Sequence, residues 1–584
     1  MNTSILNFWA PFFFVTIMFG ISEASSARNV ESKKGGELRF AKTQKPDSDY
    51  RQVWKNSAGA FSGDIFLLPK KGNFFLEDKD FKQGDLYPSS VNGAKIPPHP
   101  ITMHGFAWGY DLSIPLVFKD GKSEWIKPGQ YHGHATQQDI TPTLAHLLGL
   151  PSPAKKTGRV LKEAIRTNQV SVSRKMPKAI VVFVQDQMGH QYLEAHPGVA
   201  RFYENFLKTG ANFAMAKVSH VDVETSVGHT AVGTGAWPPE HGVSGNDFFH
   251  TGLWRQLKAF NIAISNDKKE NLIGNPSFLF TPTLGDILLQ ATEGKGIVYS
   301  QVYAPRAAIG MAGHGAMFGK GFKSHAVWID ENGEGTGEDV YTTNEKIYSL
   351  PKFLQNNSVK PYLDKFLRST SGVWKGHSFL DDKGSVDYSM VKTSPAATEW
   401  EGDLALGVIK ELGIGTDDVT DLVYINTKAT DACGHRFGFE SEECREVLAM
   451  TDQVSEKIFN ALQTVTNGDF IAILTADHGA APLPEVSGAT RFSRQKLIKD
   501  LNEKFDRLDN KIPSILSLTS SQIYLNRSEL QLNGFKVSEI VSFLKKYEVP
   551  FEAPYNVLAD EWIKRGKSKR QLFFQDVVAK DDLK

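Results

Sequence analysis

Asp477 and His478 close an apolar run, Phe470-Ile-Ala-Ile-Leu-Thr-Ala-Asp-His-Gly479. A carboxylate beside an imidazole offers the oxygen and nitrogen donors that a divalent metal such as zinc accepts. Taken alone, Asp-His-Gly is also an ordinary turn. Two further runs end on acids in the same way. Ala179-Ile-Val-Val-Phe-Val184 leads into Gln185-Asp186-Gln187-Met188, and Asp421-Leu-Val-Tyr-Ile425 leads through Asn426-Thr-Lys-Ala-Thr430 to Asp431-Ala-Cys-Gly-His435. Asp431 and His435 stand four apart, a spacing that lets both converge on one ion from a turn or helix start. Each residue has a plainer reading: Asp186 as the cap of a helix near His190, His435 as a surface histidine. Three such acids, two with a histidine nearby, favour a shared metal site. Thr225 opens a helical stretch, Val223-Glu-Thr-Ser-Val-Gly-His-Thr-Ala-Val-Gly-Thr-Gly235. A hydroxyl at a helix N-terminus beside a metal loses its proton more readily and becomes a nucleophile. A role as N-cap is compatible with that chemistry.

These side chains need elements to hold them. Short continuous apolar runs bounded by turn signals read as buried parallel strands. In open α/β sheets the ligand crevice lies beyond the carboxyl ends of the strands, where each acid here would sit. The expected fold is α/β, with a mostly parallel central sheet flanked by helices. The 584 residues carry 66 basic and 66 acidic side chains, a balance that argues against a nucleic-acid-binding surface. No internal repeat or low-complexity tract appears, and the chain reads as one catalytic domain with a cap rather than a string of modules.

The motifs together resemble the alkaline phosphatase superfamily, in its phosphodiesterase/nucleotide pyrophosphatase branch, and within it the secreted bacterial phosphatases that use threonine. The resemblance rests on Asp186-Gln-Met, Thr225-Ser-Val-Gly-His229, His241-Gly-Val-Ser-Gly-Asn246, Asp431-Ala-Cys-Gly-His435 and Thr475-Ala-Asp-His-Gly479. It implies a phosphate ester hydrolase with two Zn2+ ions and a small-molecule phosphate ester as substrate. By the same resemblance Asp186, Thr225, Asp477 and His478 would hold one zinc, and Asp431 and His435 the other. Asn246 would donate to a non-bridging phosphate oxygen. Thr225 would attack phosphorus in line and form a covalent phospho-threonine, the logic of a two-metal displacement. Monoesterase members of the branch carry Lys-x-Arg where this chain has Ala304-Pro305-Arg306. The arginine matches and the lysine does not, so the alternative is a phosphodiesterase or nucleotide pyrophosphatase with little monoesterase activity. Sister classes fit less well: sulfatases need a modified cysteine in Cys-x-Pro-x-Arg, a context that neither Cys433 nor Cys444 has. Phosphoglycerate mutases of the superfamily use serine and are normally cytosolic. A non-catalytic secreted binding protein on the same scaffold is the non-enzyme alternative.

The family supplies one more histidine to the second zinc, downstream of Asp-His-Gly, yet no histidine follows His478. The front of the chain offers one. Gly63-Asp-Ile-Phe-Leu-Leu-Pro-Lys70 reads as a strand, Met103-His-Gly-Phe-Ala-Trp-Gly-Tyr-Asp111 follows, then a second strand Ile114-Pro-Leu-Val-Phe118 and a helix from Asp139 to Gly149. This block resembles the family's C-terminal part, where His-Gly followed by Tyr-Asp provides the missing ligand. The expectation is a circular permutant. Residues 50–166 would be equivalent to the family's C-terminal portion, 167–178 a linker, and 179–570 the main catalytic domain, with a cap inserted around 250–394. His104 is the expected ligand, with His132 or His134 as competitors. Permutation is physically easy because termini lie at surfaces and often close together.

Asn7 to Ile21 is an apolar stretch of signal-peptide length, too short for an easy membrane span. With cleavage after Ala24 or Ala27, residues 1–27 read as a signal peptide and the protein as secreted or periplasmic, with no stable membrane span expected. The two cysteines, Cys433 and Cys444, are both free to pair in an oxidising compartment. Whether they do depends on a distance the sequence leaves open.

Overall fold

The computed structural model describes residues 50–76, 90–91, 94–95, 102–155, 158–166, 176–250, 253–260, 274–329, 340–355, 357–380, 388–483, 487, 489–550 and 570–583. All of them belong to one compact unit, Gln44–Lys584. The expected signal peptide and most of the expected linker, 167–175, lie outside the described residues.

A nine-stranded sheet forms the centre. In chain order its strands are β1 (Leu116–Asp120), β2 (Gly129–Tyr131), β3 (Ala179–Gln185), β4 (Ala211–Phe213), β5 (Val298–Gln301), β6 (His325–Ile329), β7 (Tyr341–Thr342), β8 (Asp421–Ile425) and β9 (Phe470–Ala476). Across the sheet the order is β7-β6-β5-β8-β3-β9-β1-β4-β2. The run β6-β5-β8-β3-β9 is parallel throughout. β3, β8 and β9 are buried along their whole length, as continuous apolar runs require when helices cover both faces. In register, Ala476 faces Gln185 and Ile425 faces Phe183. Parallel pairing therefore delivers all three chain segments to one edge of the sheet.

β1 pairs antiparallel with β9 and extends the sheet directly beside the Asp477 strand. The run Ile114–Phe118 starts as a strand only at Leu116, after Pro115, which has no N–H to donate to a ladder. The other front-end strand, Ile65–Pro69, is not part of this sheet. It pairs antiparallel with Gln522–Leu525 and Phe574–Ala579 in a separate four-stranded sheet. The span 250–394 is likewise not a single inserted body, because β5 and β6 within it are parallel members of the central sheet. A strand of four or five residues next to Gly-rich turns carries too little periodicity to stand out from an insertion.

Six helices matter for the site: α1 (Ile140–Leu147), α2 (Thr225–Thr234), α3 (Pro305–Ala312), α4 (Pro395–Leu412), α5 (Ala429–Phe437) and α6 (Glu442–Val465). α5 and α6 are joined by a disulfide between Cys433 and Cys444, whose Cα atoms are 5.6 Å apart. Among the described residues no helix is long and apolar enough to cross a membrane. The cystine closes a loop of eleven residues, so its loss is expected to cost about 2–3 kcal/mol through loop entropy. Thermal unfolding of Cys444→Ser should therefore begin below that of the parent protein, and reductant should lower only the parent's midpoint.

Candidate active site

Asp186 follows β3, and Asp477 with His478 follows β9, at adjacent positions beyond two paired strands. Asp431 and His435 lie on α5, which β8 feeds. His104 comes from the front segment. All three acids, together with His104 and His478, are buried. His435 Nε2 lies 3.2 Å and His104 Nε2 3.8 Å from Asp431 Oδ1. His478 Nε2 lies 3.1 Å from Asp477 Oδ2 and 3.8 Å from Asp186 Oδ1. The His104 ring stacks on His478 at 3.7 Å between centroids, and its centroid is 5.1 Å from that of His435. His132 and His134, the competing ligands, are exposed.

The tautomers follow from carbonyl partners. His104 Nδ1 meets Val223 O at 2.7 Å, His435 Nδ1 meets Thr102 O at 2.8 Å, and His478 Nδ1 meets Gly479 O at 2.9 Å. A carbonyl only accepts, so each Nδ1 carries a hydrogen and each Nε2 is turned to the acids. This is the orientation that metal-ligating imidazoles adopt when an outer partner fixes the ring. Asp186 Oδ1, Asp477 Oδ2 and His478 Nε2 are buried without a hydrogen-bond partner. Buried acids left unpaired are costly, and a cation is what this donor set fits. Burial raises the Asp186 carboxyl to about 6, with the neighbouring Asp477 charge adding to the effect. Burial opposes a charged His478, yet Asp477 and the other acids outweigh it and lift the ring to about 9. Both shifts express the same demand for positive charge.

Two groups can gather around an ion: His104, Asp431 and His478, and Asp186, His229 and Asp477; His478 stands within reach of both, and its Nε2, 3.1 Å from Asp477 Oδ2, ties it also to the second. His229 fits poorly as a ligand despite its position. Its Nδ1 donates to Thr225 O at 2.8 Å, and its Nε2 accepts from Asn426 Nδ2 at 2.9 Å, so both ring nitrogens are committed. The ring instead ties the first turn of α2 to β8.

That first turn bears directly on the site. Thr225 is the first residue of α2 and is buried; Glu224 holds the cap position. A Cβ on Gly228 would stand 2.6 Å from Asp477 O, so only glycine lets the turn that begins at Thr225 reach Asp477. Glycine is needed at 479 for a similar reason, since a Cβ there would lie 2.0 Å from Tyr110 O. Gly479 N donates to Asp111 O, and Asp111 Oδ2 accepts from Phe106 N at 2.8 Å, which fixes the loop bearing His104. The Tyr110-Asp111 pair thus braces β9's end and the His104 loop together. Asn246 Oδ1 accepts from Ser226 N at 3.0 Å, which leaves its NH2 as the end available to donate. Arg306 sits in the first turn of α3, and its Nε is buried without a partner.

Sequence reasoning missed Gln187 and Lys428. Gln187 N donates to Asp477 Oδ1 at 3.0 Å, and its side chain donates to Asp431 Oδ1 at 3.1 Å, so one residue aligns an acid from each ligand group. It does so with φ of 63°, a strained backbone for a non-glycine residue and of the kind that collects at functional sites. Lys428 Nζ lies 3.1 Å from Asp186 Oδ2 and also contacts Asp431 Oδ2. Gln187 was in view within Asp-Gln-Met, but a glutamine's role is invisible until both of its acceptors are located. Asp186 does not cap the helix near His190; Gly189 occupies that position.

The acids and histidines at the strand ends form a candidate metal site on an α/β sheet, and comparison with known proteins gives the class, the phosphoric ester hydrolases. The family model described as Type I phosphodiesterase / nucleotide pyrophosphatase matches residues 180–553, and the chain belongs to that family. Among relatives, it is 25% identical over 436 residues to the "Calcium-transporting ATPase" of Myroides odoratus, across 66% of this chain and 76% of that one. It is 24% identical over 418 residues to alkaline phosphatase PafA of Elizabethkingia meningoseptica, across 63% and 72%. It is 26% identical over 375 residues to alkaline phosphatase PhoD of Zymomonas mobilis, across 60% and 63%. The crystal structure of wild-type PafA superposes with a TM-score of 0.51 at 21% identity, covering 69% of this chain and 85% of that one, a likeness of fold.

Proposed function

We propose that this chain hydrolyses phosphate esters through a covalent phospho-threonine on Thr225, at a centre that holds two Zn2+ ions. The observation that carries the reading is the convergence of the Asp186/Asp477/His478 strand ends, the Asp431/His435 helix and His104 around the first turn of α2. Asp186, Thr225, Asp477 and His478 would hold one ion, and Asp431, His435 and His104 the other. When bound, the metals supply Lewis acidity to the attacking and leaving oxygens and lower the pKa of a hydroxyl or water.

The protein's own groups do the rest. The N-terminus of α2 favours the anionic form of Thr225 through its partial positive charge. Gln187 holds Asp477 and Asp431 in fixed orientations, so little reorganisation accompanies the reaction. Asn246, anchored by Ser226 N, turns its NH2 toward a non-bridging phosphate oxygen, and Arg306 neutralises developing charge. Asn246→Ala is expected to lower kcat/KM about 100-fold, the usual effect of losing one oriented donor. Steady-state kinetics on the metal-loaded protein would measure it.

A circular permutation is part of the same proposal. Two observations support it: the family match begins only at residue 180, and β1, next to β9, belongs to the segment that carries His104. A secreted or periplasmic location is supported by the Cys433–Cys444 disulfide, since such bonds persist in oxidising compartments. One experiment tests the activity: the purified protein is assayed with a monoester, a diester and a sulfate ester of one chromogenic leaving group. Hydrolysis of either phosphate ester supports the reading; turnover of the sulfate ester alone, or of none, removes it.

A further inference from the structure

Glu224 occupies the N-cap position of α2, yet its side chain makes no capping hydrogen bond. Short polar side chains are favoured there because they reach back to the N–H groups of the first turn. Glu224 instead spends both carboxylate oxygens outside the helix. Oε2 accepts from Asn246 N at 2.7 Å, and Oε1 accepts from Ser520 Oγ. The first-turn donor Ser226 N is met from outside, by Asn246 Oδ1 at 3.0 Å. The two segments therefore hold each other: Glu224 grips the backbone of Asn246, and the side chain of Asn246 caps α2 in return. Ser520 belongs to the turn 519–521, between strands Ile515–Leu518 and Gln522–Leu525 of the four-stranded sheet. That turn and the strand after it also hold Asp222. Ser521 N donates to Asp222 Oδ1 at 2.8 Å, and Gln522 Nε2 donates to Asp222 Oδ2 at 3.2 Å. The turn packs on the His104 loop as well, since a Cβ on Gly105, whose φ is 125°, would stand 2.6 Å from Ser520 Cβ. Asp222, Glu224 and Ser520 are buried, where a satisfied hydrogen-bond network is rigid.

We propose that Glu224 is a positioning residue for Asn246, and that Ser520 of the four-stranded sheet holds Glu224 in that role. The inference rests on the reading above, in which the Asn246 NH2 donates to a phosphate oxygen, and it assigns what aims that donor. Asn246 is fixed at its backbone N and at Oδ1, so its NH2 direction is set before substrate arrives. A donor already in place as charge develops is worth more than one that must reorient. A carboxylate suits the task, because its charge strengthens the hydrogen bonds it accepts and the N-terminus of α2 favours it. The four-stranded sheet, which joins Ile65–Pro69 to Phe574–Ala579, thus serves the site from outside the central sheet.

The test uses the full metal-loaded protein and compares the parent with Glu224→Ala, Glu224→Gln, Ser520→Ala, Asn246→Ala, and Glu224→Ala combined with Asn246→Ala. Three quantities are measured: kcat/KM for a chromogenic phosphate ester, metal per chain by elemental analysis, and hydrogen exchange in peptides that cover Asn246. Glu224→Ala is expected to lower kcat/KM about as far as Asn246→Ala, on the order of 100-fold, and to speed exchange at Asn246, with metal per chain unchanged. The combined variant should fall little further than either single one, whereas independent effects would multiply to about 10⁴-fold. Glu224→Gln should stay within about tenfold of the parent, because its carbonyl oxygen can accept from Asn246 N and its NH2 can donate to Ser520 Oγ. Ser520→Ala, a milder change away from the helix terminus, should lower kcat/KM about tenfold or less and also speed exchange at Asn246. Multiplying losses in the combined variant, unchanged exchange at Asn246, or a fall in metal per chain each overturn the proposal. Failure of the phosphate-ester reading is separate: the parent would then turn over no phosphate ester, and exchange at Asn246 would still decide whether Glu224 holds it.

Discussion

Thr225→Ala is expected to reduce turnover by at least about 10⁴-fold while leaving metal per chain close to that of the parent, as removal of a nucleophile does elsewhere. The size follows from what else could attack. Without the hydroxyl, only water remains, and it lacks the fixed position that the first turn of α2 gives the side chain. Metal retention follows from the ligand set, because Asp186, Asp477 and His478 remain to hold that ion. The fold should tolerate the change, since Glu224 rather than Thr225 occupies the N-cap position of α2. Thr225→Ser serves as a control that retains a nucleophile and should keep substantial activity. Elemental analysis and a burst-phase assay for phosphorylated protein would check both points. Full turnover in Thr225→Ala would remove the nucleophile assignment and leave the metal site standing.

The second large effect is expected at His104. His104→Ala should lose about one metal per chain, because three ligands define a zinc site of this type and two seldom hold the ion. Activity should fall with it. The geometry argues for a specific loss: His104 Nδ1 is fixed by Val223 O, and its Nε2 faces the Asp431 group rather than Asp186. The ion held by Asp186 and Asp477 should therefore remain. Burial also lowers the His104 pKa well below the usual histidine range, and the charges of His478 and His435 push it the same way. The ring is thus neutral, as a ligand must be. Replacing His132 or His134, both exposed, should leave the metal count unchanged. The opposite pattern would move the ligand and would also remove the main support for a permuted chain order.

Much of the site was legible because its residues sit where strands end. The apolar runs before Asp186, Asp477 and the Asp431 segment are continuous, and continuous runs of that length in an α/β chain specify both a strand and its burial. Direction along the chain then fixes which end the acids occupy. Asn426 and Gln187 were visible as residues but not as partners, since side-chain amides take meaning only from acceptors that come from other segments. β5 and β6 were harder still. They are short, they lie among Gly-rich turns, and their parallel neighbours are far away in sequence, so a region that belongs to the sheet looked like an insertion.

The amino-acid order by itself determined which donors exist: three acids and two histidines beyond buried strands, a threonine at a helix start, glycines where backbones meet, and no histidine after His478. These are local properties, set by side-chain type, period and turn chemistry. Only the tertiary structure decided which histidine joins them. His104 and His132 are both histidines in loops, and in the sequence only the Tyr110-Asp111 after His104, read through the family resemblance, set them apart. What separates them is the pairing of β1 with β9 and the Asp111 bridge to Gly479, contacts across more than 300 residues that bring one ring against His478 and leave the other in solvent.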